Sequence, residues 1–211
     1  TALVNLIPRF YEVTEGRILI DDVDVRDYPQ KTLRQTVGIA LQEALLFQGD
    51  VRFNLKFGKP EAEDEEMIDG AKAADSYGFI TKIPEKWEAH VAQRGANFSG
   101  GQRQRLSMSR TLTPQPRILI MDDSTSALDV ATEARVQEAI PATYPDVTTL
   151  YVAQRISSVI DLDNIVLLEN GEIVATGTHE KLMESSPLYQ EIYESQLGGG
   201  ITADLGEEVS S

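Results

Sequence analysis

Two adjacent carboxylates, Asp122 and Asp123, close the run Arg117-Ile118-Leu119-Ile120-Met121, apolar after its first residue. That run has the pattern of a strand buried on both faces. Acids at the C-terminal end of a buried parallel strand stand where open α/β sheets keep their ligands. A second candidate lies upstream. Phe98-Ser99-Gly100-Gly101-Gln102 is a small-residue turn leading into a helical pattern from Gln102 to Leu112. Such a turn presents unpaired backbone N–H groups and the positive end of a helix dipole, an anion site best suited to phosphate. Strand, carboxylates, glycine turn and helix all fall within Asn97 to Val130, and the chain is organised around that stretch.

The same stretch resembles the nucleotide-binding domain of an ABC transporter. FSGGQ resembles the family's signature, ILIMDD its Walker B strand, and Ser126-Ala127-Leu128-Asp129 its D-loop. Each alone reads as a glycine turn, a core strand or a capping Asp. Three in the family's order and spacing leave chance little room. The resemblance implies an α/β fold, a P-loop NTPase (RecA-like) core with an inserted, mostly helical ABC subdomain. The expected core is 1–43 with 111–197, the helical subdomain is 44–110 and ends in the signature and its helix, and 198–211 is a flexible acidic tail.

Composition agrees. The 211 residues suffice for one sizeable core. Against 34 acidic residues stand 19 basic ones, a formal charge of -15, which argues against a protein that holds nucleic acid by neutralising phosphates. The absence of cysteine removes disulfides and thiolate metal sites. The longest apolar runs, such as Ile165 to Leu168, fall far short of the roughly 20 residues that span a bilayer. No charged-then-apolar leader opens the sequence. A membrane role is therefore expected to come through a partner or a segment outside this sequence.

Along the chain, Thr1 to Ile7 has helical apolar spacing ended by Pro8. By the resemblance, LVNLIPRFYEVTEG follows GxxxxGK[ST], so Thr1 would be the last residue of Walker A, with its glycines and lysine outside the sequence. Gly16 to Asp21 and Val37 to Leu41 read as strands. Gln42 follows the second, and the resemblance makes it the Q-loop glutamine that contacts the metal. The segment ALQEALLFQGDVRFNL is similar to exporter-type domains. Glu61 to Glu66 read as a solvated acidic helix start, and Trp87 and His90 as parts of a polar loop. Gln93-Arg94-Gly95 stands where exporters carry Glu-Arg-Gly. After the D-loop come a helix from Asp129 to Ile140 stopped by Pro141, a strand from Val147 to Val152 leading to Gln154, and strands over Asn164 to Leu168 and Glu172 to Ala175. Thr178 caps a helix over His179 to Ser185, and Leu188 to Leu197 form the last helix.

In the family, two domains face head to tail and each ATP is held between Walker A and B of one and the signature of the other. The resemblance then implies ATP and Mg²⁺ as ligands. Asp122, with Thr1 and Gln42, would hold the metal. Ser99, Gly100, Gly101 and Gln102 would bind the γ-phosphate of the partner's ATP, and Asp129 would line the contact between the sites. Two residues depart from the pattern. The residue after the Walker B Asp is normally the catalytic Glu, and here it is Asp123, one methylene shorter. The γ-phosphate His is replaced by Gln154, which offers an amide N–H but neither charge nor a transferable proton. Both changes fall on one composite site, while the signature is intact. The expectation is the degenerate-site subunit of a heterodimeric bacterial exporter, at the cytoplasmic face of the membrane, partnered by a second nucleotide-binding domain and a transmembrane domain. The alternatives are a slow homodimer and a soluble ABC-type ATPase of DNA repair or translation.

Overall fold

The computed structural model describes residues 1–197. They fall into two compact units that divide after Val152. The expected acidic tail, 198–211, lies outside the described residues.

The first unit opens with a short 3-10 turn, Val4–Leu6, where a longer helical stretch was expected. Pro8 ends it, having no N–H to extend the turn. A small hairpin follows, β1 (Leu19–Ile20) and β2 (Val23–Asp24). Its two-residue turn places Asp21 and Asp22 at φ 49 and 64, the left-handed pair that this tightest hairpin needs and that Asp tolerates. Only Leu19 and Ile20 of the expected strand over 16–21 are in the ladder.

Next come α1 (Gln30–Thr36), β3 (Val37–Ala40), β4 (Gly49–Asp50), α2 (Val51–Leu55), α3 (Asp64–Ala73), α4 (Tyr77–Ile80) and β5 (His90–Val91). The acidic run does start a helix: Glu66 reaches back to accept the Glu63 N–H at 2.9 Å, with Asp64 and Glu65 in the same first turn. His90 is not in a loop. It pairs with Asp50 across the β4–β5 ladder, and Trp87, in a 3-10 turn, packs on the apolar cluster beneath. A strand of two residues is too short for sequence periodicity to reveal it.

The last elements of this unit are α5 (Gly100–Leu112), β6 (Ile118–Asp122), α6 (Val130–Thr143) and β7 (Thr148–Val152). Strands β3, β6 and β7 form a parallel sheet with β6 in the middle, Ala40 opposite Met121 and Asp122 opposite Val152. Leu119 and Ile120 are fully buried, one toward the cluster of Met108, Leu112, Val136 and Ile140, the other toward Val4, Leu33 and Val37. Burying each contributes roughly 2 kcal/mol. A separate cluster from Leu46 to Leu106 forms the core of the helices between β3 and β6. Helix α6 does not stop at Pro141 but runs through it to Thr143. The hydrogen bond Pro141 forgoes lies in the last turn, and Tyr144 N–H still closes on the Ile140 carbonyl at 2.8 Å.

The second unit contains β8 (Ile165–Glu169), β9 (Glu172–Gly177), α7 (His179–Ser185) and α8 (Pro187–Leu197). The strands pair as a hairpin, and Thr178 caps α7 as expected, its Oγ1 accepting the Lys181 N–H. Ile156, Ile165, Leu182 and Tyr189 are its core. Among the described residues, no helix is long and apolar enough to cross a membrane.

Candidate functional site

Asp122 is the last residue of the central strand and is 3% exposed. Its Oδ1 accepts a 2.8 Å hydrogen bond from Thr1 Oγ1. One residue on, Asp123 turns out of the sheet with φ 50, while its N–H still donates to the Val152 carbonyl at 2.9 Å. The ladder thus holds its backbone as the side chain swings away. Gln42, two residues past the end of β3, donates from Nε2 to Asp123 Oδ2 at 2.9 Å. Thr1, Gln42, Asp122 and Asp123 therefore meet at the C-terminal edge of the parallel sheet, linked in two pairs. Among the described residues, no group of three His, Cys, Asp or Glu could hold a metal ion by itself.

The segment after Gln42 is held from below. Asn54, fully buried, accepts from the Phe47 N–H at 2.8 Å and donates to the carbonyls of Phe47 and Asp50. Arg110 donates to the Leu45 carbonyl at 2.9 Å and lies against the Phe47 ring, and burial lowers its pKa. Gly95 is equally constrained. Its φ is 69 and a Cβ there would meet Leu46 Cδ1 at 2.9 Å, so Gln93-Arg94-Gly95 needs its glycine for space as well as for conformation.

The glycine turn is the N-terminus of α5, with a closed capping box. Ser99 Oγ accepts the Gln102 N–H at 3.2 Å, and Gln102 Oε1 accepts the Ser99 N–H at 2.9 Å. Two of the expected phosphate-binding side chains are thus each engaged with the other residue's backbone N–H. Asp129 caps α6, its two oxygens accepting from Thr132 N–H at 2.9 Å and Thr132 Oγ1 at 2.7 Å. The Thr132 hydroxyl, then its N–H, hold the Asp129 carboxyl below its ordinary pKa.

Gln154 belongs to the second unit and is exposed there. Its carbonyl accepts from Gln196 Nε2 at 3.0 Å, and Gln196 Oε1 accepts the Ile156 N–H at 2.7 Å. Sequence reasoning passed over Asn54, Thr132 and Gln196, which position the site's segments. For Thr132 the signal was present, a hydroxyl three residues after a capping Asp. For Gln196 there was none, since its partners lie some forty positions away.

Residues 1–126 match the sequence model of the ABC transporter family. Over 196 residues the chain is 46% identical to a Bacillus subtilis (strain 168) protein named "Putative multidrug export ATP-binding/permease protein YgaD". It is 44% identical over the same length to a Staphylococcus aureus (strain NCTC 8325 / PS 47) protein of like name. Both alignments take in 93% of this chain and 34% of the relative, so the chain spans about a third of their length. Among solved structures it resembles that of a bacterial Atm1-family ABC exporter with ATP bound, with a TM-score of 0.88 and 35% identity, covering 93% of this chain and 35% of the other.

Proposed function

The chain belongs to the ABC transporter family and has its P-loop NTPase fold, and from that premise we propose that it is the ATP-binding domain of an exporter whose own ATP site turns over slowly. The observation that carries this reading is the meeting of Thr1, Asp122, Gln42 and Asp123 at the edge of the parallel sheet. Thr1 Oγ1, Asp122 and Gln42 offer oxygen donors only, which suits Mg²⁺, a cation that takes one or two carboxylates and keeps water and phosphate oxygens. When bound, Mg²⁺ neutralises charge on the β- and γ-phosphate oxygens.

Hydrolysis joins a water oxygen to the γ-phosphorus, breaks the bond to the β–γ bridging oxygen, and leaves the electron pair on ADP. The water proton needs an acceptor. Asp123 is read as that acceptor, and a base misplaced by about 1 Å can cost on the order of a hundredfold in rate. Gln154 supplies an amide donor for the γ-phosphate without the charge of an imidazolium. Ser99, Gly100, Gly101 and Gln102 are read as serving the ATP of a second nucleotide-binding domain, which supplies the competent Glu and His. In this reading, closure of the pair moves a transmembrane domain through the Gln42 segment at the cytoplasmic face of the membrane, for export of a multidrug kind, in line with the relatives' names.

A second reading, a slow homodimer, is favoured by one contact: Asp123 still reaches Gln42 at 2.9 Å, so the shorter side chain stays within the constellation. Steady-state ATPase activity of the complete subunit, alone and co-expressed with its partner subunit, separates the two. Negligible activity alone and robust activity together, lost when the partner's catalytic Glu is changed to Gln, supports the heterodimer. Robust activity alone sinks it.

A further inference from the structure

The signature turn and the D-loop are in direct contact, and one buried amide makes both ends of that contact. Gln104, in the second turn of α5 and 5% exposed, donates from Nε2 to Ser126 Oγ at 3.2 Å and accepts the Ala127 N–H on Oε1 at 2.9 Å. A turn earlier, α5 approaches so closely that a Cβ on Gly101 would lie 3.3 Å from the Ala127 carbonyl and 3.6 Å from Leu128 Cδ2. Leu128 itself is buried in the cluster that includes Met108 and Leu112 of α5.

A second brace grips the far end of the D-loop. Asp75, in the tight turn between α3 and α4, accepts Arg105 Nη1 at 3.0 Å and Arg135 Nη2 at 3.1 Å. Arg105 Nε reaches the Gly101 carbonyl at 3.4 Å, and Arg135 Nη2 donates to the Thr132 hydroxyl, which in turn holds Asp129. The brace is half-exposed, with Arg135 at 55% and Asp75 at 30% side-chain exposure, so solvent weakens it. The Gln104 amide is itself buried and bonded at both ends, whereas Ser126 and Ala127 are exposed, so water can replace the Ala127 bond but cannot restore the tie to α5. Gln104 is the better shielded of the two braces.

We propose that Gln104 is a positioning residue that makes the signature turn and the D-loop one rigid body, so that the signature N–H groups and Asp129 meet the partner's ATP in fixed relation. The inference rests on the reading of Ser126 to Asp129 as a D-loop given above. Gln104 touches no nucleotide in this account. Its loss should therefore lower kcat and leave KM largely alone, because the misplacement is felt when the two domains close rather than when ATP first binds.

The test is ATP hydrolysis by the complete subunit assembled with its partner, per folded molecule, across ATP concentration. Gln104→Met keeps the volume and removes both hydrogen bonds, and should cut kcat about tenfold with KM within about twofold. Gln104→Glu should recover activity to within about threefold of wild type, since a carboxylate still accepts the Ala127 N–H and Ser126 can turn its hydroxyl to donate. A purely structural role would lower the melting temperature and leave kcat per folded molecule intact. A kcat for Gln104→Met within about twofold of wild type overturns the proposal. Should that variant not assemble, Ser126→Ala decides: a fall of about threefold supports the link, and an unchanged kcat overturns it. Asp129→Ala is the control on the reading beneath. Wild-type kcat there means that the D-loop assignment fails; a fall there alone means that only the role of Gln104 fails.

Discussion

Gln42 and Asp123 join the ends of two neighbouring parallel strands through a 2.9 Å hydrogen bond from Nε2 to Oδ2. Ala40 lies opposite Met121, so the register brings position 42 to the level of position 123, where the backbone turns out of the sheet. The Asp123 carboxylate, proposed above as the general base, is thus tied to the glutamine that starts the next segment.

From that relationship, Asp123→Glu with Gln154→His in the complete heterodimer should activate the second site. With one site already working, the gain in kcat is bounded by site number, at about twofold. Steady-state turnover checks it. An unchanged rate would place the degeneracy elsewhere, for instance in the partner's signature.

Asp122→Asn should uncouple nucleotide binding from magnesium while sparing the fold. The amide keeps the volume and can still accept from Thr1 Oγ1, which now reaches Asp122 Oδ1 at 2.8 Å. What it loses is the charge that a hard cation needs. Calorimetry of ATP with and without Mg²⁺ in the complete subunit should show a magnesium enhancement reduced by at least about tenfold. A full enhancement in the variant would remove Asp122 from the metal site.

Gln196→Leu should loosen the Gln154 segment from the far end of the second unit. The Gln196 amide satisfies the Gln154 carbonyl at 3.0 Å and the Ile156 N–H at 2.7 Å, and leucine leaves both without that partner. The expected cost is about 1–3 kcal/mol in local stability. Hydrogen exchange at Ile156 should accelerate correspondingly, roughly tenfold or more. Unchanged protection there would mean that the segment is held by other contacts.

The elements that carry the candidate site were legible because they lay in short runs. The apolar strand ending in Asp122-Asp123 and the Ser-x-x-Gln turn at Ser99 each carry their geometry in consecutive residues. What escaped was non-local or marginal. Asn54 reads as an ordinary polar residue of a short helix, yet it is fully buried and ties back to Phe47 and Asp50. Pro141 reads as a stop, and it was passed because the bond it gives up falls in a last turn that Tyr144 closes. His90 sits in a two-residue strand that exists only because Asp50 lies across from it.

The Asp129 carboxylate offers a pH test. Thr132 donates its hydroxyl and its N–H to ionised Asp129, which lowers the folded-state pKa. A depressed folded pKa contributes stability that is present above the unfolded value, near 3.9, and is lost as pH falls through the folded one. Thr132→Val keeps the shape of a residue that is 5% exposed and removes the hydroxyl, so Asp129 should titrate closer to its ordinary value. Carboxyl carbon titration by NMR reads this directly. The stability gap between wild type and variant in urea should then be largest near neutral pH and should narrow on acidification through the wild-type Asp129 titration, because a protonated carboxyl no longer rewards the lost donor. A gap that is the same at every pH would mean that valine acts through packing alone, and the hydroxyl would have no part in holding the Asp129 charge.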